Sequence, residues 1–83
     1  MDATLIKSRL KQFITAEIMH NPEYPLRDDE ALITSGLMDS FSLAQIGVFA
    51  EIEFNVYIPD AELTVDQMNT VEQMASAILG KLG

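Results

Sequence analysis

The sequence contains no cysteine. That absence excludes disulfides, thiolate metal sites and cysteine nucleophiles, and it makes a reducing cytoplasm the expected compartment. Basic residues are nearly as scarce. Five Lys and Arg stand against 13 Asp and Glu in 83 residues, a formal net charge of -8. A net anion gains no counterion release on DNA or RNA, so nucleic acid is not an expected partner. Anionic membrane surfaces are disfavoured for the same reason. Long apolar runs are missing too. The longest uncharged run, Ser40 to Ala50, is eleven residues, about half of what a bilayer-spanning helix needs. Met1-Asp2-Ala3-Thr4-Leu5 has neither a basic n-region nor an apolar h-region, so no secretory signal is expected.

What is present describes a folded body. Hydrophobic residues make up 48% of the chain, ordinary for a globular domain and too many for a disordered acidic tail. One domain over residues 1–83 is expected, with a radius of gyration of roughly 12 Å. So small a core leaves little room for a closed pocket with a lid. The charge is unevenly spread. Residues 28–80 hold no Lys or Arg and ten acids. Such a tract suits a basic protein partner, a divalent cation or plain solvation.

Hydrophobic periodicity predicts helices and no strands. Ala3, Ile6, Leu10, Phe13, Ile14 and Ile18 share one arc, giving a first helix over about 3–19 with Glu17 oddly inside the arc. Asn21-Pro22 stops it. Residues 20–38 read as a long loop whose Leu26, Leu32, Ile33 and Leu37 allow it to pack on the core. Gly36 suits a turn with positive φ. Asp39-Ser40 supplies good N-cap chemistry for a second helix over about 40–54, and Asn55 a left-handed exit. Two capping boxes follow, Thr64-Val65-Asp66-Gln67 and Thr70-Val71-Glu72-Gln73. They predict a short helix at 65–69 and a longer one at 70–82 with the stripe Val71, Met74, Ala75, Ile78, Leu79 and Leu82. Gly80 and Gly83 fall at its fraying end. The fold class is all-α: three main helices, a short third one and a long first loop.

The second helix is apolar on two sides. Leu43, Ile46, Gly47, Ala50 and Phe54 form a core stripe. Phe41, Ala44, Val48 and Ile52 form another on the opposite face, flanked by Gln45 and Glu51. Three main helices can hardly enclose a fourth side. The second stripe is therefore expected to be exposed, as a protein-binding surface.

Gly36-Leu37-Met38-Asp39-Ser40-Phe41-Ser42-Leu43, followed by that helix and by Ile58-Pro59-Asp60, resembles the acyl carrier protein family. The family includes free-standing acyl, peptidyl and D-alanyl carriers, and the resemblance runs along nearly the whole chain. It implies a four-helix bundle of acyl-carrier type. It implies that Ser40 is the attachment point of 4′-phosphopantetheine, placed there from coenzyme A by a phosphopantetheinyl transferase. The arm's thiol would carry acyl or aminoacyl groups as thioesters between enzymes of a fatty-acid, polyketide or specialised pathway. Asp39 would help the transferase assemble its magnesium–coenzyme A site. Phe41, Ala44, Val48, Glu51 and Ile52 would meet partner enzymes with basic docking surfaces. The protein would be a monomeric carrier, not an enzyme by itself.

The sequence also departs from the family's pattern. Fatty-acid carriers usually place carboxylates where this chain has Ser42, Gln45 and Ile52. A more apolar partner surface and a dedicated pathway follow. Carriers of this kind can hide an acyl chain between helices, and the small Gly47 and Ala50 would leave room for one.

Other readings are thinner. Gly36-Leu37-Met38-Asp39-Ser40 is not a Gly-x-Ser-x-Gly elbow. The lone His20 is expected as a capping or surface residue. No Ca-loop pattern is present, so no metal site is expected, and Asp28-Asp29-Glu30 reads as a solvated acidic loop. Met38, Met68 and Met74 read as core filler. The alternative function is a small acidic helical adaptor that binds partners without a prosthetic group.

Overall fold

In a computed structural model of the chain, which describes residues 2–82, helix α1 spans Ala3–Phe13. Asp2 starts it: the carboxylate accepts the Leu5 N–H at 2.9 Å and satisfies one of the orphan donors of the first turn. The helix does not stay regular to residue 19 as its sequence suggests. It widens into a π turn over Ile14–Ile18. One extra residue in that turn shifts the phase of everything after it. Thr15 rotates inward and Glu17 outward, which explains Glu17's place on the apolar arc. The buried Thr15 hydroxyl donates to the Lys11 carbonyl at 2.8 Å, so it carries no unmet polar group. His20 then turns left-handed (φ 56). Asn21 N–H reaches back to the Thr15 carbonyl at 2.7 Å and closes the helix end.

Residues 19–41 form the long first connection. It packs on the core as expected, with Leu26 and Leu32 buried and Ile33 and Leu37 half-buried. The acidic run is not merely solvated. Asp28 pairs with Lys7 at 3.4 Å and with Lys11, while its backbone carbonyl accepts the Glu72 N–H at 3.0 Å. Asp29 pairs with Arg27, and Glu30 accepts the Tyr24 hydroxyl and the Arg27 N–H. These carboxylates tie the loop down.

Helix α2 spans Ser42–Phe54 and begins two residues later than expected. Ser40 and Phe41 lie in a tight turn closed by Ser42 N–H to the Asp39 carbonyl and Leu43 N–H to the Ser40 carbonyl. The helix ends at Asn55, left-handed at φ 57 as its residue type predicts. A 3₁₀ turn at Asp60–Glu62 follows, which the sequence pattern did not suggest. Helix α3 covers Val65–Met68 and α4 covers Val71–Leu82, each trimmed by one residue from the predicted spans. Gly83 lies outside the described residues. Only one of the two capping boxes forms. Gln73 N–H donates to Thr70 Oγ1 at 3.1 Å, and Thr70 N–H donates to Gln73 Oε1 at 3.1 Å. At Thr64 the first turn closes on the backbone carbonyl instead, with Met68 N–H at 2.8 Å.

The fold is all-α, with no strand among the described residues. Helices α1 and α4 share the most extensive contact among the helices. Ile6, Leu10 and Ile14 join Met74, Ile78 and the α2 residues Leu43 and Ile46 in one core. Met38, Met68 and Met74 are buried there as filler. Leu79 and Leu82, predicted to belong to the α4 stripe, are instead about two-fifths exposed because that end of α4 leaves the core. The radius of gyration is 11.4 Å. Among the described residues no helix is long and apolar enough to cross a membrane.

The space expected beside Gly47 is filled. A Cβ there would meet Leu63 Cδ1 at 2.9 Å. Leu63, from the segment after α2, packs its side chain against the bare Gly47 backbone.

Candidate functional site

The candidate site is built around Ser40, and the segment ahead of it is strongly held. Asn69, between α3 and α4, does the holding. Its carbonyl accepts the Leu32 N–H at 2.8 Å. Its side-chain Oδ1 accepts the N–H groups of Ile33 at 2.9 Å and Thr34 at 3.2 Å, and its Nδ2 donates to Thr34 Oγ1 at 3.1 Å. Gln73 in turn accepts the Asn69 N–H at 2.8 Å. The chain then turns back at Gly36, whose φ of 89 is a conformation glycine adopts without steric cost. Met38 N–H closes the loop on the Leu32 carbonyl at 3.0 Å. Neither Asn69 nor Gln73 was singled out for this role. The only sequence signal is a polar residue between two short helices, which does not reveal a contact some 35 positions away.

This loop delivers Asp39 and Ser40 to the start of α2, both exposed. Asp39, not Ser40, is the side-chain cap. Its Oδ1 accepts the Ser42 N–H at 3.1 Å and the Ser42 hydroxyl at 3.3 Å. Ser40 stands beside a cleft of about 640 Å3, bordered by Ile18 of the π turn, Ile33, Leu37 and Met38 of the loop, and Val65 of α3. The lining is mixed, with apolar side chains beside polar groups. The polar groups at the mouth are Asp39, Ser40 and Ser42. His20 is exposed in the left-handed turn that ends the first helix.

The second stripe of α2 is bare. Phe41 is 85% exposed, Val48 60% and Ile52 79%, with Ala44 and Glu51 exposed beside them. On the side of the stripe facing α1 lies a groove of about 470 Å3. Its floor is an aromatic pair, Phe13 on Phe49, with ring centroids 4.3 Å apart and planes 17° from parallel. Phe54 meets the edge of Phe49 at 5.7 Å. Phe49 falls between the two predicted stripes of α2, so periodicity alone assigned it to neither.

The cations of the chain are all engaged by acids. Each of the five Lys and Arg side chains is in an ion pair: Lys7 and Lys11 with Asp28, Arg9 with Glu53, Arg27 with Asp29 and Lys81 with Glu62. The net charge is therefore carried by acids outside those pairs, among them Glu17, Asp39 and Glu51. The Lys11 ammonium, with help from Lys7, holds the Asp28 carboxyl below its ordinary range, against the opposing effect of desolvation. The Tyr24 hydroxyl lowers Glu30, and the same hydrogen bond raises Tyr24.

Asp39, Ser40 and Phe41 thus sit together at one end of α2, while Ala44, Val48, Glu51 and Ile52 extend along it. No family model, no curated protein and no solved structure matches the chain.

Proposed function

We propose that this chain is a carrier protein whose Ser40 takes 4′-phosphopantetheine. One observation carries the reading: an exposed serine, preceded by an aspartate, at the opening of a helix and beside a cleft of mixed polar and apolar lining. The residues present suit the group. A phosphate ester on Ser40 would stand at the first turn of α2, where the helix's partial positive charge favours an anion. Capping by Asp39 leaves the Ser40 hydroxyl free of that structural duty. The loop held by Asn69 keeps the serine in one place for a transferase.

The bound group would supply a thiol that holds an acyl or aminoacyl cargo as a thioester. The protein's own contribution is position and recognition. Asp39 Oδ1 is engaged in the cap, so its other oxygen is the one available to the transferase's magnesium. Acids outside ion pairs steer basic enzymes toward Ser40. Phe41, Ala44, Val48, Glu51 and Ile52 then discriminate among them. In this reading the chain is a monomeric, cytoplasmic bundle of the acyl-carrier type, serving a dedicated pathway and catalysing nothing itself.

Incubation of the apo chain with coenzyme A, Mg²⁺ and a broad-specificity transferase tests this by intact mass. A single phosphopantetheine adduct is expected on the wild type and on Ser42→Ala and Ser35→Ala, and none on Ser40→Ala. An unmodified wild type, or an adduct that survives Ser40→Ala, overturns it. The bare stripe of Phe41, Val48 and Ile52 also suits an adaptor without a prosthetic group. That protein would keep its partner and gain no mass.

A further inference from the structure

Asn69 does not border the Ser40 cleft, yet it ties together two of the segments that do, the first loop and α3. We propose that Asn69 is the positioning residue for modification at Ser40. It clasps the loop to the α3–α4 junction, and the strength of that clasp sets the transferase's KM for this protein. The proposal rests on the carrier reading and adds to it the residue on which the efficiency of modification depends.

The clasp is concentrated in one residue. Three consecutive backbone donors, Leu32, Ile33 and Thr34, all end on Asn69. The first meets its carbonyl at 2.8 Å, and the other two meet Oδ1 at 2.9 and 3.2 Å. Nδ2 donates to Thr34 Oγ1 at 3.1 Å, so both ends of the amide are engaged. Asn69 is itself held by Gln73. Gln73 Oε1 accepts the Asn69 N–H at 2.8 Å, and Nε2 donates to the Asp66 carbonyl of α3 at 2.9 Å. Val65, next to Asp66, borders the cleft opposite the loop residues Ile33, Leu37 and Met38.

The hold reaches Ser40 through the backbone. Gly36 N–H closes on the Ile33 carbonyl at 3.1 Å and Met38 N–H on the Leu32 carbonyl at 3.0 Å, so residues 32–38 form one closed loop. Ser40 follows two residues later. Leu32 and Met38 are buried, so apolar contacts retain both ends of the loop when the amide is lost. Between them, residues 34–36 are exposed, and Ile33 and Leu37 are only half-buried. The polar clasp therefore governs the conformation of the turn and not whether the domain folds. Removing it lowers the population of the competent arrangement. A transferase that selects that arrangement shows the deficit as a higher KM, with kcat unchanged at saturation.

The test measures phosphopantetheinylation of the full apo chain against its concentration, with coenzyme A and Mg²⁺ saturating. Asn69→Ala should raise KM roughly tenfold, the loss of two hydrogen bonds to one acceptor, and leave kcat unchanged. Asn69→Asp keeps an acceptor for both N–H groups and stands before the N-terminus of α4, where negative charge is favoured, so its KM should stay near wild type. Thr34→Val loses only the Nδ2 bond and should raise KM about threefold. Ile78→Val, a core change outside the loop, should lower the melting temperature and leave KM unchanged. The amide signals of Gly36, Met38 and Ser40, none of them hydrogen-bonded to Asn69, should move in free Asn69→Ala while those of Leu10 and Ile14 stay.

A wild-type KM in Asn69→Ala overturns the proposal, as does a loss confined to kcat. So does a KM in Asn69→Asp as high as in Asn69→Ala, an equal rise in Ile78→Val, or an unmoved Ser40 amide. If Asn69→Ala does not fold, Thr34→Val decides in its place, and an unchanged KM there overturns the proposal. A wild type that takes no adduct overturns the carrier reading and this one with it. A modified wild type with the same KM as Asn69→Ala overturns this one alone.

Discussion

Helices α2 and α4 are nearly the same length and both rich in apolar residues, yet they meet their surroundings differently. Helix α4 buries Val71, Met74, Ala75 and Ile78 and turns Glu72, Ser76 and Lys81 to solvent. Helix α2 buries Leu43, Ile46, Ala50 and Phe54, and turns Phe41, Val48 and Ile52 to solvent as well. Burial of the inner faces holds both helices in place. The outer face of α2 gains nothing from exposure, since apolar surface in water is unfavourable. A helix that keeps such a face keeps it for contact with something else. Helix α4 thus spends its apolar residues mainly on the core, while α2 also keeps some on its outer side, the recognition face proposed for this chain.

The largest test of this division is in the core. Ile78→Ala should cost about 2–5 kcal/mol, because Ile78 is fully inaccessible and its neighbours cannot collapse completely into the gap. In a chain this small that is much of the total stability, so a urea melt of the variant should show a shifted or vanished transition. An unchanged midpoint would mean the α1–α4 contact does not dominate.

An intermediate effect is expected at Asp28, which joins α1 to the start of α4 through Lys7, Lys11 and the Glu72 N–H. Its folded pKa is lowered, so its contribution is present above the ordinary carboxylate pKa. That contribution is lost as pH falls through the folded value. Asp28→Asn should destabilise the protein at neutral pH and flatten the loss of stability on acidification below about pH 4. Parallel wild-type and variant melting curves across that range would contradict the assignment.

The smallest stability effect belongs to the other side. Ile52→Ser should change stability by no more than about 0.5 kcal/mol, since the side chain is 79% exposed. The same substitution should damage binding. If it unfolded the protein, the outer stripe would be part of the fold after all, and the division would collapse.

Much of the architecture was legible in the residues. The α1 arc, the Thr70 capping box, the Asn55 exit and the positive φ at Gly36 each rest on interactions within a few positions of one another. Local chemistry of that kind can be read along a chain. The π turn at Ile14–Ile18 could not be, because it trades one local hydrogen-bond pattern for another to suit the packing of Thr15 and Ile18. The Thr64 box failed for a similar reason: its motif was present, but the turn closed on the backbone. At the candidate site, Asp39, Ser40 and the bare stripe were visible in sequence. Asn69, Phe49 and the groove were not, since each depends on segments distant in the chain.

The scarcity of Lys and Arg shows the same split. Composition alone determined that the protein is strongly acidic, cysteine-free and helical, because charge count and 3.6-residue periodicity are properties of the chain itself. Only the tertiary structure decided where the charge acts. Folding placed all five cations against Asp28 and Asp29 of the first loop, Glu53 near the end of α2 and Glu62 of the 3₁₀ turn. Glu17, Asp39 and Glu51 were left outside those pairs around Ser40 and the outer face of α2. Ion pairing depends on distance in space, and distance in space is what a linear sequence does not state.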